Sequence, residues 1–198
     1  MDRLILSTDS KEIAAVGHSL GLEAPFLRPA VLATDTASSI SVIQHALAWI
    51  ESNGGAPDAV LSVQPTNPFL SAASIDRAVE LWLETNCDSV TTVAASKDGH
   101  PYITKRLLPG NKIEPFTAQP GGMPPGGHSR QTRETAYYMT GGLYLRTVAL
   151  IREETRDTHH LGRDARAIVV DELEAWDINS EFDWDVAGAL MNGRRTRQ

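Results

Sequence analysis

Between Asp58 and Ala95 the sequence alternates strand, helix and strand, and this alternation limits the available architectures more than any other feature. Asp58-Ala59-Val60-Leu61-Ser62-Val63 is a short aliphatic run of strand length. From Ser71 to Asn86, the positions Ile75, Ala78, Val79, Leu81, Trp82 and Leu83 give a helix one apolar side. Ser89 to Ala95 is again rich in β-forming residues. Two strands joined by a helix of this length run in the same direction within one sheet. The chain is therefore expected to form an α/β fold with a doubly wound, mostly parallel sheet.

The flanking segments keep the rhythm. Leu4-Ile5-Leu6 reads as a short strand, and Asp9-Ser10-Lys11-Glu12 as a capping box opening a helix that stops at Gly21. Ser38 or Ser39 starts the next helix, with Ile40, Ile43, Leu47 and Ile50 at helical spacing and a stop at Asn53-Gly54-Gly55. Tyr137 to Leu145 predicts a strand, followed by a helix through Leu150, the strand Ala167-Ile168-Val169-Val170 and a last helix over about 180–191. Between Ser96 and Ala136 the rhythm fails. That segment holds the turn Pro109-Gly110-Asn111 and a glycine-rich loop from Pro120 to Gly127, and long loops inside compact domains are usually functional.

A chain of 198 residues with 41% hydrophobic content suits one domain spanning 1–198. Its 25 acidic residues exceed the 18 basic ones, for a net charge of −7. That field disfavours nucleic acid and anionic membranes as partners, yet a few local arginines and backbone N–H groups can still hold a nucleotide. Cys87 is the single cysteine, which excludes a disulfide framework and a cysteine zinc site and reads as a structural thiol. No stretch has the length of a membrane-spanning helix and no secretory leader is visible, so the expected compartment is the cytoplasm.

Four motifs carry chemistry. Leu27-Arg28-Pro29-Ala30-Val31-Leu32-Ala33-Thr34-Asp35-Thr36-Ala37-Ser38-Ser39 leads into a helix start, where small side chains and unpaired N–H donors admit a nucleotide. Gln64-Pro65-Thr66-Asn67-Pro68 ends a strand at its carboxyl edge, where ligands sit in open α/β sheets. Arg130-Gln131 precedes the strand after the irregular segment, and Tyr138-Met139-Thr140-Gly141-Gly142-Leu143-Tyr144 lies within it. Asp177-Ile178-Asn179-Ser180-Glu181-Phe182-Asp183 places residues 177 and 179 on one side of an extended segment. Asn179 or Ser180 equally suits the N-cap of the last helix, and Ser38 equally suits a cap of its own helix.

Together these motifs resemble the acylneuraminate cytidylyltransferases, which make CMP-sialic acid from CTP and a free sugar acid. The resemblance implies a nucleotide-diphospho-sugar transferase-like fold, with 96–136 as a small dimerisation insertion and a homodimer as the assembly. It implies nucleotide contacts from Arg28, Ala37, Ser38 and Ser39, and sugar contacts from Gln64, Arg130 and Tyr144. Asp177, the catalytic residue by this reading, and Asn179 are implied to hold Mg2+. A hard cation on oxygen ligands would neutralise charge developing on the phosphates.

Departures are visible in the same motifs. The family has Gln-Pro-Thr-Ser-Pro-Leu-Arg where this chain has Asn67 in place of the serine and Leu70 in place of the arginine. Tyr138 and Thr140 stand where the family has arginine and the asparagine of Asn-Gly-Ala-Ile-Tyr. Asn179 stands for a second aspartate. The resemblance therefore leaves pseudaminic, legionaminic or ketodeoxyoctonic acid open as the sugar. His100-Pro101 matches a family pair, read here as structural, and adjacent His159-His160 lacks a third ligand at zinc spacing. Family members also carry a strand and a Gly-Ser-Lys phosphate loop ahead of the position of Arg3. The expectation is thus an N-terminally incomplete domain with weak CTP turnover, or a non-catalytic binding subunit.

Overall fold

The computed structural model describes residues 3–117, 129, 131–153 and 159–195. Helix α1 spans Lys11–Ser19, α2 Ser39–Ser52, strand β1 Ala59–Val63, α3 Ala72–Thr85 and β2 Ser89–Ala95. The hairpin strands β3 (Lys105–Leu108) and β4 (Lys112–Pro115) follow. The main pattern returns with β5 (Tyr137–Thr147), α4 (Val148–Arg152), β6 (Ala165–Val169) and α5 (Glu181–Arg195).

Serine begins three of these helices for one reason. Ser10, Ser38 and Ser71 hold extended backbone while their hydroxyls accept from Ile13 N, Ser41 N and Ser74 N, satisfying N–H groups that the first turn leaves free. The expected capping box at Asp9 is corrected by this arrangement. Ser10 is the cap, and the Asp9 carboxylate turns instead to Arg28, whose guanidinium lies 3.3 Å away. Helix α3 ends on Asn86 in the left-handed region (φ 51°), a conformation asparagine tolerates.

The main sheet has the order β1-β5-β2-β6. Strands β2 and β6 pair in parallel, while β5 lies between β1 and β2 and runs against both. Three strands thus share one direction, and the sheet is mixed rather than uniformly parallel. The side-chain period of two sorts β1 between the faces. Ala59 and Leu61 join the core formed by Ala78, Val90, Leu143, Leu145 and Ile168, against the apolar side of α3. Val60 joins the opposite core of Ile43, Leu47, Val148 and Ile151, against α2 and α4. Cys87 is buried, as a structural thiol should be.

Leu4-Ile5-Leu6 does not extend into a strand of this sheet. The segment makes two isolated parallel bridges, Ile5 with Glu23 and Thr8 with Leu27. Arg3 caps this arrangement with a bond to Glu23 at 2.6 Å and a guanidinium 5.0 Å above the Trp49 ring. Three apolar residues with only one neighbouring segment to bond cannot build a ladder. Among the described residues, no helix is long and apolar enough to cross a membrane.

Leu143 is fully buried between β1 and β2. Leu143→Ala is expected to lower unfolding free energy by about 2–5 kcal/mol, measured by urea denaturation.

Candidate active site

The carboxyl edge of β1 is where chain segments far apart in sequence meet. After Val63, Gln64 N donates to Gly142 O at 2.9 Å, and Asn67 N closes a turn onto Gln64 O at 3.1 Å. Because β5 runs the other way, its first half arrives at this same edge. There the β2–β5 register shifts between Thr91 and Val93, and Gly141 takes φ +81°. A side chain other than glycine's would be strained in that conformation. Inside the irregularity, the Thr92 and Thr140 hydroxyls are bonded at 2.6 Å with both residues buried.

The segment after β6 is turned back to this edge by side chains. Asp171 Oδ1 accepts from Leu173 N at 2.9 Å and Glu174 N at 2.8 Å. Glu174 in turn accepts from Ser71 N and Ser71 Oγ, both at 3.2 Å, which fixes the turn to the start of α3. Ile178 N then donates to Thr66 O at 2.9 Å. The Asn67 amide donates to Trp176 O at 3.2 Å and to Thr140 O at 3.4 Å. Gln64 and Asp177 are therefore brought to one place, beside the Gly141–Gly142 kink. Sequence reasoning named both ends of this arrangement but noted Asn67 only as a departure from the related motif. Its only sequence signal was an amide where the related motif has a serine.

Asp177 and Asn179 share one side of their segment, as expected, and Asn179 Nδ2 donates to Asp177 Oδ2 at 2.8 Å. The other carboxylate oxygen, Asp177 Oδ1, is buried without a hydrogen-bond partner. Capping of α5 falls to Ser180, which leaves the Asn179 amide to Asp177. Ser180 Oγ accepts from Asp183 N at 3.3 Å and donates to Asp183 Oδ2 at 2.7 Å, and that oxygen also accepts from Asn179 N at 3.1 Å. The Ser180 hydroxyl, then the Asn179 N–H, hold the Asp183 carboxyl below its ordinary range.

A second group gathers at the start of α2. Arg28 N donates to Thr8 O at 2.8 Å, its side chain meets Asp9, and its Nε is buried without a partner. Ala37 N closes a turn onto Thr34 O at 3.0 Å, which leads to Ser38 as the α2 cap and an exposed Ser39. Tyr144 sits on β5 opposite Ser62 of β1, with the Arg146 guanidinium 4.4 Å from its ring centre. Arg130 lies outside the described residues, as does the loop from Pro120 to Gly127.

Two of the histidines, His100 and His160, have structural partners. His100 is buried, its Nδ1 accepts from Tyr102 N at 3.2 Å, and its Nε2 stands 2.9 Å from Glu134 O. A backbone donor on one nitrogen and a carbonyl on the other select the Nε2–H tautomer. His160 is buried with Nε2 2.6 Å from Leu150 O, so its ring braces α4.

Ser180→Ala is expected to cost about 1 kcal/mol of stability, whereas Asn179→Ala costs little, both read by urea titration. The Asp183 contribution is present above the ordinary carboxylate pKa and is lost as pH falls through its depressed folded value. Asp183→Asn should therefore flatten the acid limb of the stability curve, followed by thermal melting from pH 7 down to pH 3.

The cytidylyltransferase profile matches residues 1–109. Post-translational flagellin modification protein B of Campylobacter coli is 26% identical over 190 residues, covering 95% of this chain and 76% of that protein. CMP-N,N'-diacetyllegionaminic acid synthase of Legionella pneumophila is 27% identical over 191 residues, covering 96% of this chain and 78% of the synthase. Among solved structures, CMP:2-keto-3-deoxy-manno-octonic acid synthetase complexed with CTP superposes with a TM-score of 0.67 over 98% of this chain and 82% of that one, at 11% identity. The matched strands and helices carry both the Arg28–Ser39 run and the Gln64 turn, and the chain belongs to the cytidylyltransferase family.

Proposed function

We propose that this nucleotidyltransferase joins CMP from CTP to an acylneuraminate-like sugar acid and releases pyrophosphate. The observation that carries the proposal is the bonded cluster at the carboxyl edge of β1, which presents Gln64 and Asp177 together where an α/β sheet receives its ligand. In this reading the anomeric hydroxyl oxygen bonds to the α-phosphorus, the bond to the β-phosphate oxygen breaks, and the hydroxyl proton departs. Gln64, Tyr144 and Arg130 face the sugar acid, while Arg28, Ala37, Ser38 and Ser39 face the nucleotide.

Asp177 and Asn179 suit a magnesium ion. Both offer oxygen donors, and Asp177 Oδ1 is a buried acceptor with nothing to accept from. Magnesium commonly takes one or two protein carboxylates and fills its remaining positions with phosphate and water. Among the described residues no cluster of three His, Cys, Asp or Glu side chains forms a metal site. Bound here, the ion would neutralise charge on the phosphates. The chain's own contribution is to aim the Asp177 carboxylate, through the Ile178–Thr66 bond.

The sugar pocket departs from the acylneuraminate motifs at Leu70, Tyr138 and Thr140, and a legionaminic acid enzyme is among the relatives. Pseudaminic, legionaminic and ketodeoxyoctonic acids are accordingly the comparison substrates. We place the protein in the cytoplasm as a homodimer built through 96–136. The β3–β4 hairpin in that segment exposes Leu107, Ile113 and Phe116, apolar surface that a partner copy would cover. Light scattering at micromolar concentration is expected to give twice the chain mass.

Pyrophosphate release from CTP with each acid tests the reaction. Weak turnover with an acylneuraminate-type acid is expected, with Asp177→Ala reducing it about a hundredfold or more, the scale for losing a metal-held charge clamp. CTP binding without turnover on any acid would instead favour a non-catalytic binding subunit. Asn179→Asp is expected to lower the magnesium concentration for half-maximal rate severalfold, because it adds a second negative ligand. An unchanged magnesium dependence would remove Asn179 from the metal site.

A further inference from the structure

Asn67 is only 3% exposed, although it sits in a turn between two prolines, Pro65-Thr66-Asn67-Pro68. Buried amides need partners, and the Asn67 donor finds two from different parts of the chain: Trp176 O and Thr140 O. One residue thus ties the turn after β1 to the kinked strand β5 and to the segment carrying Asp177. Both partners are carbonyls, which fixes the amide nitrogen toward them and leaves Oδ1 buried without a partner.

Gly142 explains how so large a side chain fits. A Cβ at position 142 would stand 3.0 Å from Asn67 Cγ, 3.1 Å from Asn67 Cβ and 3.3 Å from Nδ2. Gly142 does not have the positive φ that Gly141 has, so its backbone would accept alanine. What crowds a side chain there is Asn67, which would have to give by a few tenths of an ångström. The two neighbouring glycines are therefore glycine for different reasons, one conformational and one steric. The related motifs carry the opposite pairing, a serine at the first position and an alanine at the second, so the volume has moved from β5 to the turn after β1.

We infer that Asn67 is a positioning residue, which clamps the Asp177 segment to the Gln64 turn and works only with glycine at position 142. The proposal rests on the reading above for what Asp177 does, but the clamp itself does not depend on that reading. Adjacent to the clamp, Ile178 N bonds Thr66 O, and this amide reports whether the segment is held.

The test compares wild type, N67S, G142A and N67S/G142A by amide hydrogen exchange, with urea titration for global stability. In N67S the Ile178 amide should exchange about tenfold faster or more, the scale of losing two buried hydrogen bonds, while Val90 and Ile168 amides in the core change only with global stability. G142A should lose stability, and adding N67S should recover it, with Ile178 remaining fast in the double variant. Unchanged Ile178 exchange in N67S overturns the clamp, as does G142A matching wild type. Mn2+ affinity, followed by water proton relaxation with the metal as sole probe, reads the consequence. It should weaken severalfold in N67S and in N67S/G142A, despite the restored stability of the latter. If N67S binds Mn2+ as wild type while Asp177→Ala does not bind, the positioning role is wrong. If Asp177→Ala itself binds as wild type, the metal reading fails, and the Ile178 exchange still decides the clamp.

Discussion

Strand β5 holds the site together because it runs against both of its neighbours. A strand in that position delivers its beginning, rather than its end, to the carboxyl edge of β1 and β2. The register shift at Thr140–Gly142 then takes β5 out of the regular ladder just where the edge begins. Irregularities of this kind leave backbone groups unpaired, and here those groups acquire distant partners. Gly142 O accepts from Gln64 N, and Thr140 O accepts from the Asn67 amide. The buried Thr92–Thr140 hydroxyl bond holds the kink in place from the β2 side. Without the reversal of β5, the turn after β1 and the Asp177 segment would have no common support.

Much of this fold could be read from sequence because the signals are local. The aliphatic run at β1, the one-sided helix α3 and the β-rich run at β2 lie within one or two residues of their expected bounds. Ser38 and Ser71 begin their helices as caps. Errors arose where the outcome depends on distant groups. Asp9 has the spacing of a capping box with Glu12, but Arg28 offers it a charged partner and Ser10 takes the cap. Leu4-Ile5-Leu6 has strand composition, yet composition cannot supply a neighbour to bond. The direction of β5 was equally hidden, since a strand's pattern is the same read from either end. Gln64 and Asp177 were visible because they belong to recognisable motifs. Asn67 was not, because its role consists of contacts 73 and 109 residues away.

A chain of net charge −7 that is to bind a nucleoside triphosphate, as proposed, must hold its cations ready without committing them. Arg28 shows one way of doing so. Its backbone is fixed by the bond to Thr8 O, while its guanidinium contacts Asp9 at 3.3 Å in a pair that remains partly exposed. Ion pairs of that kind contribute little, typically under about 1 kcal/mol. Asp9 can thus orient the arginine and, on the proposed function, release it to a phosphate at small cost. The buried, unpartnered Nε marks the part of this side chain that the protein itself leaves unsatisfied.

The same asymmetry recurs at Asp177. Its Oδ2 is bonded to Asn179, whereas Oδ1 is buried with no donor. A buried acceptor without a partner costs about 1–3 kcal/mol, and a fold keeps such a group only if the surrounding bonds hold it there. Those bonds are present on both sides of the residue, from Asn67 to Trp176 O and from Ile178 N to Thr66 O. The free protein therefore bears a cost that an arriving cation or donor would remove.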